Sequence, residues 1–195
     1  MHHERIAILD YGSQYTRLIT RRLRELGAFG LVHGPNATAE EIGGADLKGV
    51  ILSGGPNSVL EAGAPPIDHG IFDLGVPVLG ICYGQQLMAR DFGGQLHRAA
   101  KREYGKATIQ VSDADSILFQ GLDLDQSVWM SHGDHVEKAP EGYVVTAKTP
   151  GVPVAAMEHR GLRRFGIQFH PESIMTPVGK RILRNFIRSA SPRSE

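Results

Sequence analysis

Cysteine is almost absent from this chain of 195 residues, which contains only Cys82. A single cysteine excludes an internal disulfide framework, and it predicts a reducing compartment. An excess of charge of one sign is also lacking, because 21 basic residues balance 21 acidic residues. The sequence therefore provides no overall electric field for binding nucleic acid or an anionic membrane.

Long hydrophobic runs, internal repeats and low-complexity segments are missing as well. No apolar stretch approaches the length of a membrane span, and the N-terminus lacks the apolar core of a signal peptide. The length of 195 residues fits one domain with a substantial core. We therefore expect a soluble cytoplasmic domain. His2 and His3 are compatible both with a native terminus and with the remnant of a tag.

The most informative stretch is an apolar run that leads into two glycines flanking the single cysteine. Residues 76–81 are typical of a buried strand, and residues 86–92 have the apolar spacing of a helix. Between them, G-I-C-Y-G at residues 80–84 matches the nucleophile elbow of hydrolases, with cysteine in place of serine. The glycines leave room for a sharp turn.

A lone cysteine is more often a small buried hydrophobe than a reactive group. Here the strand, the glycines and the helix place Cys82 at a helix N-terminus, where unpaired N–H groups and the helix dipole favour a thiolate. The context therefore predicts that Cys82 is a nucleophile.

The first half of the chain alternates predicted strands and helices. Strands are predicted at residues 5–10, 28–32 and 48–52, and helices at residues 16–26, 38–41 and 67–74. This alternation is typical of a parallel sheet covered on both faces. The arginines of the first helix are expected to form a solvated face.

Gly54 and Gly55 follow the third predicted strand. Ligands of parallel sheets bind beyond the carboxyl ends of the strands, where both this glycine pair and Cys82 would lie. Glycine lets a backbone N–H approach a ligand closely, as an oxyanion hole requires. A Gly-Gly-Pro sequence is also an ordinary turn, so the pair by itself leaves both interpretations open.

After Gly93 and Gly94 the pattern changes to short strands, which predict an antiparallel extension and a return to the main sheet. These strands are predicted at residues 105–111, 127–130, 143–147, 152–158 and 164–169. Residues 129–135, W-M-S-H-G-D-H, are expected to form a polar loop beside the active site. Two histidines and Asp134 in this loop could hold a metal, but no further ligand cluster supports one, and we predict none.

Q-F-H-P-E at residues 168–172 is the second informative stretch. Pro171 favours an extended conformation at His170, and residues two apart in an extended chain project to the same side. Glu172 can therefore reach the imidazole of His170 and hold its tautomer, as the third member of a triad does. A surface turn is the alternative. Residues 178–187 have the apolar spacing of a closing helix.

Three motifs together resemble the class I glutamine amidotransferases. They are S-G-G-P at residues 53–56, G-I-C-Y-G at 80–84 followed by Gln86, and Q-F-H-P-E at 168–172. They occur in the family's order, and the likeness covers nearly the whole chain. The resemblance implies an α/β fold, an open, mostly parallel, flavodoxin-like sheet with helices on both faces and a small antiparallel extension. Residues 1–190 would form the amidotransferase domain and residues 191–195 a disordered tail.

The resemblance also implies roles for individual residues. Cys82, His170 and Glu172 would form a catalytic triad for hydrolysis of the glutamine side-chain amide, and the backbone N–H groups of Gly55 and Tyr83 would form the oxyanion hole. The residues expected to bind glutamine are Gly54, Gln86, Ser131, His132 and Gly133. The hydrolysis itself would need no cofactor.

Within the family, the likeness is greatest to the glutaminases of GMP synthesis. It lies in I-L-D-Y-G-S-Q-Y-T at residues 8–16, G-I-C-Y-G at 80–84, K-R-E-Y-G at 101–105 and W-M-S-H-G-D at 129–134. Such a glutaminase delivers ammonia to an ATP-pyrophosphatase partner, which binds ATP and Mg²⁺ and aminates XMP to GMP. The chain would be either a separate glutaminase subunit or an excised domain.

Residues 173–176, S-I-M-T, depart from the GMP-synthesis pattern and are more similar to the glutaminase subunits of anthranilate and aminodeoxychorismate synthases. Those subunits are the alternative within the family. A cysteine hydrolase or peptidase on a similar sheet, and a catalytically silent binding protein, are the alternatives of another class. A peptidase would show little preference for free glutamine, and a silent binding protein would not be labelled at Cys82 by a glutamine analogue.

Overall fold

The computed structural model describes residues 4–191, without the side chains of residues 100–103, 131 and 132. His2, His3 and, except for Ser191, the expected tail lie outside the described residues. In chain order, the elements are β1 Arg5–Leu9, α1 Thr16–Glu25, β2 Phe29–His33, α2 Ala39–Ile42, β3 Leu47–Leu52, a 3-10 helix His69–Asp73, β4 Val78–Ile81, α3 Tyr83–Asp91, β5 Gln95–Val111, β6 Asp125–Lys138, β7 Val144–Lys148, β8 Ala156–His159, β9 Arg164–Ile167 and α4 Gly179–Arg188.

All nine strands belong to one sheet, in the order β2-β1-β3-β4-β9-β8-β7-β5-β6. The first five strands of this order pair in parallel, and the remaining pairings are antiparallel. The predicted fold class is confirmed. The carboxyl ends of β3 and β4 lie side by side, and β9 pairs with β4 on its other side, so the segments that follow these strands meet at one edge.

Apolar side chains cover both faces of the sheet. One cluster packs Ile19 and Leu23 of α1 and Phe186 of α4 against the sheet, and the other packs Leu87 and Met88 of α3 against the opposite face. The apolar spacing of these helices in the sequence therefore corresponds to buried stripes, as predicted. Within the described residues, no helix has the length and apolar composition needed to cross a membrane.

The helix predicted at residues 67–74 is only a five-residue 3-10 helix, His69–Asp73. Asp68 starts it, because its carboxylate accepts hydrogen bonds from the N–H groups of Gly70 and Ala39. Gly70 lies inside the segment and Gly75, with a φ of 75°, follows it. Glycine weakens an α-helix by about 1 kcal/mol, so the apolar spacing alone does not produce a longer helix here.

The polar loop predicted at residues 129–135 is wrong, because these residues belong to β6. β6 pairs with β5 in a ribbon of 14 and 17 residues, whereas the sequence predicts two short strands. Most of β5 pairs only with β6, so most of the ribbon is two strands wide. A strand in such a ribbon can carry polar residues and glycine, and its composition then resembles that of a loop.

Candidate active site

Cys82 lies at the tip of the turn between β4 and α3, in a strained backbone conformation. Its φ is 50° and its ψ is −106°, and Arg163 is the only other described non-glycine residue with positive φ. Such conformations cost about 1–3 kcal/mol and concentrate at functional sites. The N–H of Cys82 donates to the carbonyl oxygen of Ile167 over 2.8 Å, which anchors the turn to the end of β9.

The two glycines of the turn are required by close backbone contacts. A Cβ added at Gly80 would lie 2.6 Å from the carbonyl oxygen of Gly84, and a Cβ at Gly84 would overlap the carbonyl oxygen of Leu52 in β3. Neither glycine has a positive φ. The prediction that glycine leaves room for this turn is therefore confirmed. Glycine is required at both positions because a Cβ would not fit, and not because of the backbone conformation.

Cys82, His170 and Glu172 lie next to one another, and all three side chains are buried. The Sγ atom of Cys82 is 3.4 Å from Nε2 of His170, and Nδ1 of His170 is 2.7 Å from Oε1 of Glu172. A catalytic triad requires these two contacts, one between the nucleophile and the base and one between the base and the carboxylate that orients it.

The charges around His170 favour its protonated form. Burial by itself would lower the pKa of His170, but the charge interactions and hydrogen bonds with Cys82 and Glu172 outweigh it and raise the pKa to about 11. The sulfur also lies 2.9 Å from the carbonyl oxygen of Gln168. A thiol would donate its proton to that carbonyl, whereas a thiolate would accept a hydrogen bond from protonated His170.

The turn after β3 lies against this triad. A Cβ at Gly54 would be 3.6 Å from Cβ of Cys82 and 3.3 Å from Cε1 of His170. The hydroxyl of Ser53 fixes the turn, because it accepts a hydrogen bond from the N–H of Tyr11 and donates one to the carbonyl of Gly54. Gly55 approaches the carbonyl oxygen of Tyr11 so closely that a Cβ would collide with it.

The N–H groups of Gly55 and Tyr83 have no acceptor among the described residues. Tyr83 is the first residue of α3, where backbone N–H groups lack partners within the helix. Two free N–H donors are therefore available on the segments that flank Cys82, as an oxyanion hole requires.

Gln86, predicted to bind substrate, is bonded within the protein. Its Nε2 donates to the carbonyl oxygen of Asp134 over 2.8 Å and to Oε1 of Gln168 over 3.2 Å. It therefore joins α3 to β6 beside the triad. The backbones of Ser131 and His132 pair with β5, and Gly133 follows them in the same strand. Their contacts with substrate stay a prediction.

No group of three or more potential metal ligands occurs among the residues that the structure describes. Asp134 instead hydrogen-bonds the hydroxyl of Ser58, and Nε2 of His135 lies 3.2 Å from a carboxylate oxygen of Glu137.

Three contacts around His170 and Glu172 were not predicted from the sequence. The ring of Tyr15 packs edge-on against the His170 imidazole at 5.2 Å, and the hydroxyl of Thr176 donates to the His170 carbonyl. Arg22 donates from Nε to the Glu172 carbonyl over 3.2 Å, so the prediction of a wholly solvated arginine face was wrong for this residue. The available signal in the sequence was that Arg22 lies three residues after the buried Ile19, which places the two side chains next to each other on α1.

The comparisons with known proteins cover nearly the whole chain. Residues 7–190 match the family model for glutamine amidotransferase class-I. The chain is 50% identical over 187 residues to a glutamine-hydrolysing GMP synthase of Geobacillus kaustophilus and 52% identical over 185 residues to that of Staphylococcus carnosus. These matches include 96% and 95% of the chain but 36% of each relative, so the chain spans about a third of their length.

Solved structures agree with this assignment. The crystal structure of a protein from Thermoplasma acidophilum, assigned to GMP synthase as one of its subunits, superposes with a TM-score of 0.87 and 30% identity, over 97% of this chain and 95% of that one. A glutamine amidotransferase from Thermotoga maritima has a TM-score of 0.78 over 98% of this chain and 100% of that one; at 18% identity it shows the fold alone. Together, the matched family model and these relatives show that the chain belongs to the class I glutamine amidotransferases.

Proposed function

We propose that this protein hydrolyses the side-chain amide of glutamine through Cys82, His170 and Glu172 and delivers the ammonia for amination of XMP. The observation that carries the proposal is the strained Cys82, 3.4 Å from an imidazole that a buried carboxylate orients. In an amidotransferase, this arrangement supplies a nucleophile for the amide carbon and a proton donor for the amide nitrogen.

In the first step, the Cys82 thiolate attacks the carboxamide carbon of glutamine, and a C–S bond forms while the carbonyl oxygen becomes an oxyanion. The free N–H groups of Gly55 and Tyr83 are placed to donate to this oxyanion. Each such donor contributes about 3–4 kcal/mol to transition-state stabilisation. The position of Gly54 against Cys82 supports the assignment of the next residue, Gly55, to this role.

In the second step, protonated His170 gives its proton to the amide nitrogen, the C–N bond breaks, and ammonia leaves a γ-glutamyl thioester on Cys82. Neutral His170 then takes a proton from water as the oxygen attacks the thioester. When the C–S bond breaks, glutamate and the thiolate are released and His170 is again protonated. Glu172 keeps Nδ1 protonated and stabilises the imidazolium.

The acceptor is proposed from the relatives. The two named above are glutamine-hydrolysing GMP synthases, and the likeness to them extends over almost the whole chain. We infer that the partner is an ATP-pyrophosphatase that holds ATP, Mg²⁺ and XMP in the cytoplasm. Residues 173–176 are more similar to the chorismate enzymes, but they form a single short segment, whereas the likeness to the GMP synthases extends over about 95% of the chain.

Reconstitution tests the proposal. The chain is mixed with an ATP-pyrophosphatase, glutamine, XMP and ATP–Mg²⁺, and in parallel with glutamine, chorismate and a chorismate-binding protein of an anthranilate or aminodeoxychorismate synthase. We expect glutamine-dependent GMP formation in the first mixture only. Formation of anthranilate or aminodeoxychorismate without GMP would overturn the choice of acceptor. Cleavage of peptides with no preference for glutamine, or no labelling of Cys82 by a glutamine analogue, would overturn the glutaminase itself.

A further inference from the structure

A ring of three hydrogen bonds ties the backbone of His170 to β6. The N–H of His170 donates to the carbonyl oxygen of Trp129 over 3.0 Å. The N–H of Trp129 donates to Oγ1 of Thr176 over 3.0 Å, and Oγ1 donates to the carbonyl oxygen of His170 over 2.8 Å. Thr176 is buried, so no solvent competes for its single hydroxyl proton.

The ring resembles an antiparallel strand pair with a side chain inserted into it. Met130 and Phe169 already form an antiparallel bridge next to it. In a regular pair, two opposed residues exchange both N–H···O bonds. Here one bond between Trp129 and His170 is direct, and the return bond passes through the Thr176 hydroxyl. The chain beyond His170 can therefore leave β6 while the Trp129 N–H keeps a partner in Thr176. The His170 carbonyl accepts from Thr176 over 2.8 Å and also from the N–H of Ser173 over 3.4 Å.

This ring matters for the distance between the sulfur and the imidazole. Glu172 orients the imidazole, but it lies two residues away on the same segment and would move together with His170. Besides the ring, Arg22 links the backbone of this segment to the rest of the fold through the carbonyl of Glu172. Cys82 belongs to the turn between β4 and α3, which close contacts with β3 enclose and which the Cys82 N–H anchors to Ile167 at the end of β9.

We infer that Thr176 is a positioning residue: its hydroxyl holds the His170 backbone against β6 and thereby sets the distance from Nε2 to the Cys82 sulfur. The inference deepens the proposed function, on which it rests for the role of His170 in glutamine hydrolysis. It also assigns residue 176 a task within the glutaminase half-reaction, so its identity does not by itself indicate the acceptor.

Thr176→Val tests the inference, because valine has nearly the same shape and lacks the hydroxyl. We expect kcat for ammonia release to fall about a hundredfold, the effect of a displacement of about 1 Å at the reacting atoms, with little change in KM. Thr176→Ser keeps the hydroxyl and should restore kcat to within a few-fold of the wild type. Thr146→Val is the matched control, since Thr146 is buried in β7 and its hydroxyl has no partner among the described residues.

A second measurement does not depend on glutamine. The rate at which iodoacetamide alkylates Cys82 at neutral pH reports on its contact with His170, because the thiolate is the reacting form. We expect Thr176→Val to slow alkylation roughly tenfold, and Thr176→Ser and Thr146→Val to leave it unchanged. Thermal unfolding of each variant establishes the folded fraction at the assay temperature.

Two results would overturn the inference: kcat and alkylation in folded Thr176→Val equal to those of Thr146→Val, or activity lost only in proportion to the unfolded fraction. A wild-type chain that releases no ammonia from glutamine, even with its partner, would instead contradict the proposed function. The alkylation rates would still decide whether Thr176 positions His170.

Discussion

Cys82 and His170 approach within 3.4 Å, yet the fold holds them in two different ways. The turn of Cys82 is enclosed by backbone contacts so close that neither Gly80 nor Gly84 has room for a methyl group. The backbone of His170 itself is held by hydrogen bonds, one direct to Trp129 and one that passes through the Thr176 hydroxyl. Hard contacts cannot yield without disrupting the sheet, whereas hydrogen bonds can lengthen or exchange at small cost.

The two supports also come from different halves of the sheet. The parallel strands β3 and β4 build the turn of the nucleophile, and the antiparallel ribbon carries the contact to His170 through Trp129. The turn that carries the nucleophile is therefore built by the parallel half of the sheet. The position of His170, which is both proton donor and proton acceptor in the proposed mechanism, also depends on the ribbon.

Removal of the nucleophile is expected to have the largest effect. Cys82→Ala should lower glutamine hydrolysis by about 10⁴-fold or more, because no covalent intermediate can form. Circular dichroism and thermal unfolding should show an intact fold. Hydrolysis by this variant at close to the wild-type rate would contradict the role of Cys82.

For His170, the other member of the Cys82–His170 pair, we expect His170→Ala to lower kcat more than Glu172→Gln does. The kcat values of the two variants should differ roughly a hundredfold. In the proposed mechanism, Glu172 orients His170 and raises its pKa, whereas His170 transfers the protons. If Glu172→Gln leaves kcat unchanged in a folded protein, the triad is misassigned.

The pH profile sharpens this comparison. His170 in the wild type, with a pKa of about 11, stays protonated through neutral pH, so the loss of its acid form should begin well above pH 7. Glu172→Gln removes one of the charges that raise this pKa, and the alkaline decline of kcat/KM should therefore move to lower pH. A decline that stays at the wild-type pH would contradict the charge interaction.

A methyl group added to the turn of the nucleophile should destabilise the fold. Alanine within a helix is ordinarily more stable than glycine by about 1 kcal/mol, but at Gly84 its Cβ would overlap the Leu52 carbonyl. Gly84→Ala should therefore lower the free energy of unfolding by about 2 kcal/mol, measured by chemical denaturation. Gly151→Ala is the control, since nothing lies within 4 Å of its added Cβ. Equal stabilities of the two variants would show that the turn is not sterically enclosed.

The smallest effect is expected from the partner. The isolated chain should hydrolyse glutamine slowly, and an ATP-pyrophosphatase loaded with XMP and ATP should raise the rate about tenfold, a usual size for coupling between sites. Residues 131–134 of β6 are the proposed contact. The same mixture with Cys82→Ala controls for ammonia from the partner. A fast isolated chain without stimulation would contradict this coupling.

The sequence by itself was sufficient for the parts of the molecule that depend on neighbours along the chain. Helical spacing located α1, α3 and α4, and the strand–glycine–cysteine–glycine–helix pattern located the turn of Cys82. The glycines were informative because this sharp turn brings Gly80 and Gly84 so close to neighbouring backbone that no Cβ fits at either position. The same short-range reasoning paired His170 with Glu172 across Pro171.

Only the tertiary structure decided what depends on contacts between distant segments. Residues 129–135 are a strand because β5 pairs with them, although their polar composition is typical of a loop. Arg22 reaches a carbonyl 150 residues away, and Thr176 closes a ring with Trp129 over 47 residues. A hydroxyl or a guanidinium has the same sequence signature whether it meets water or a buried carbonyl, so the folded chain alone selects its partner.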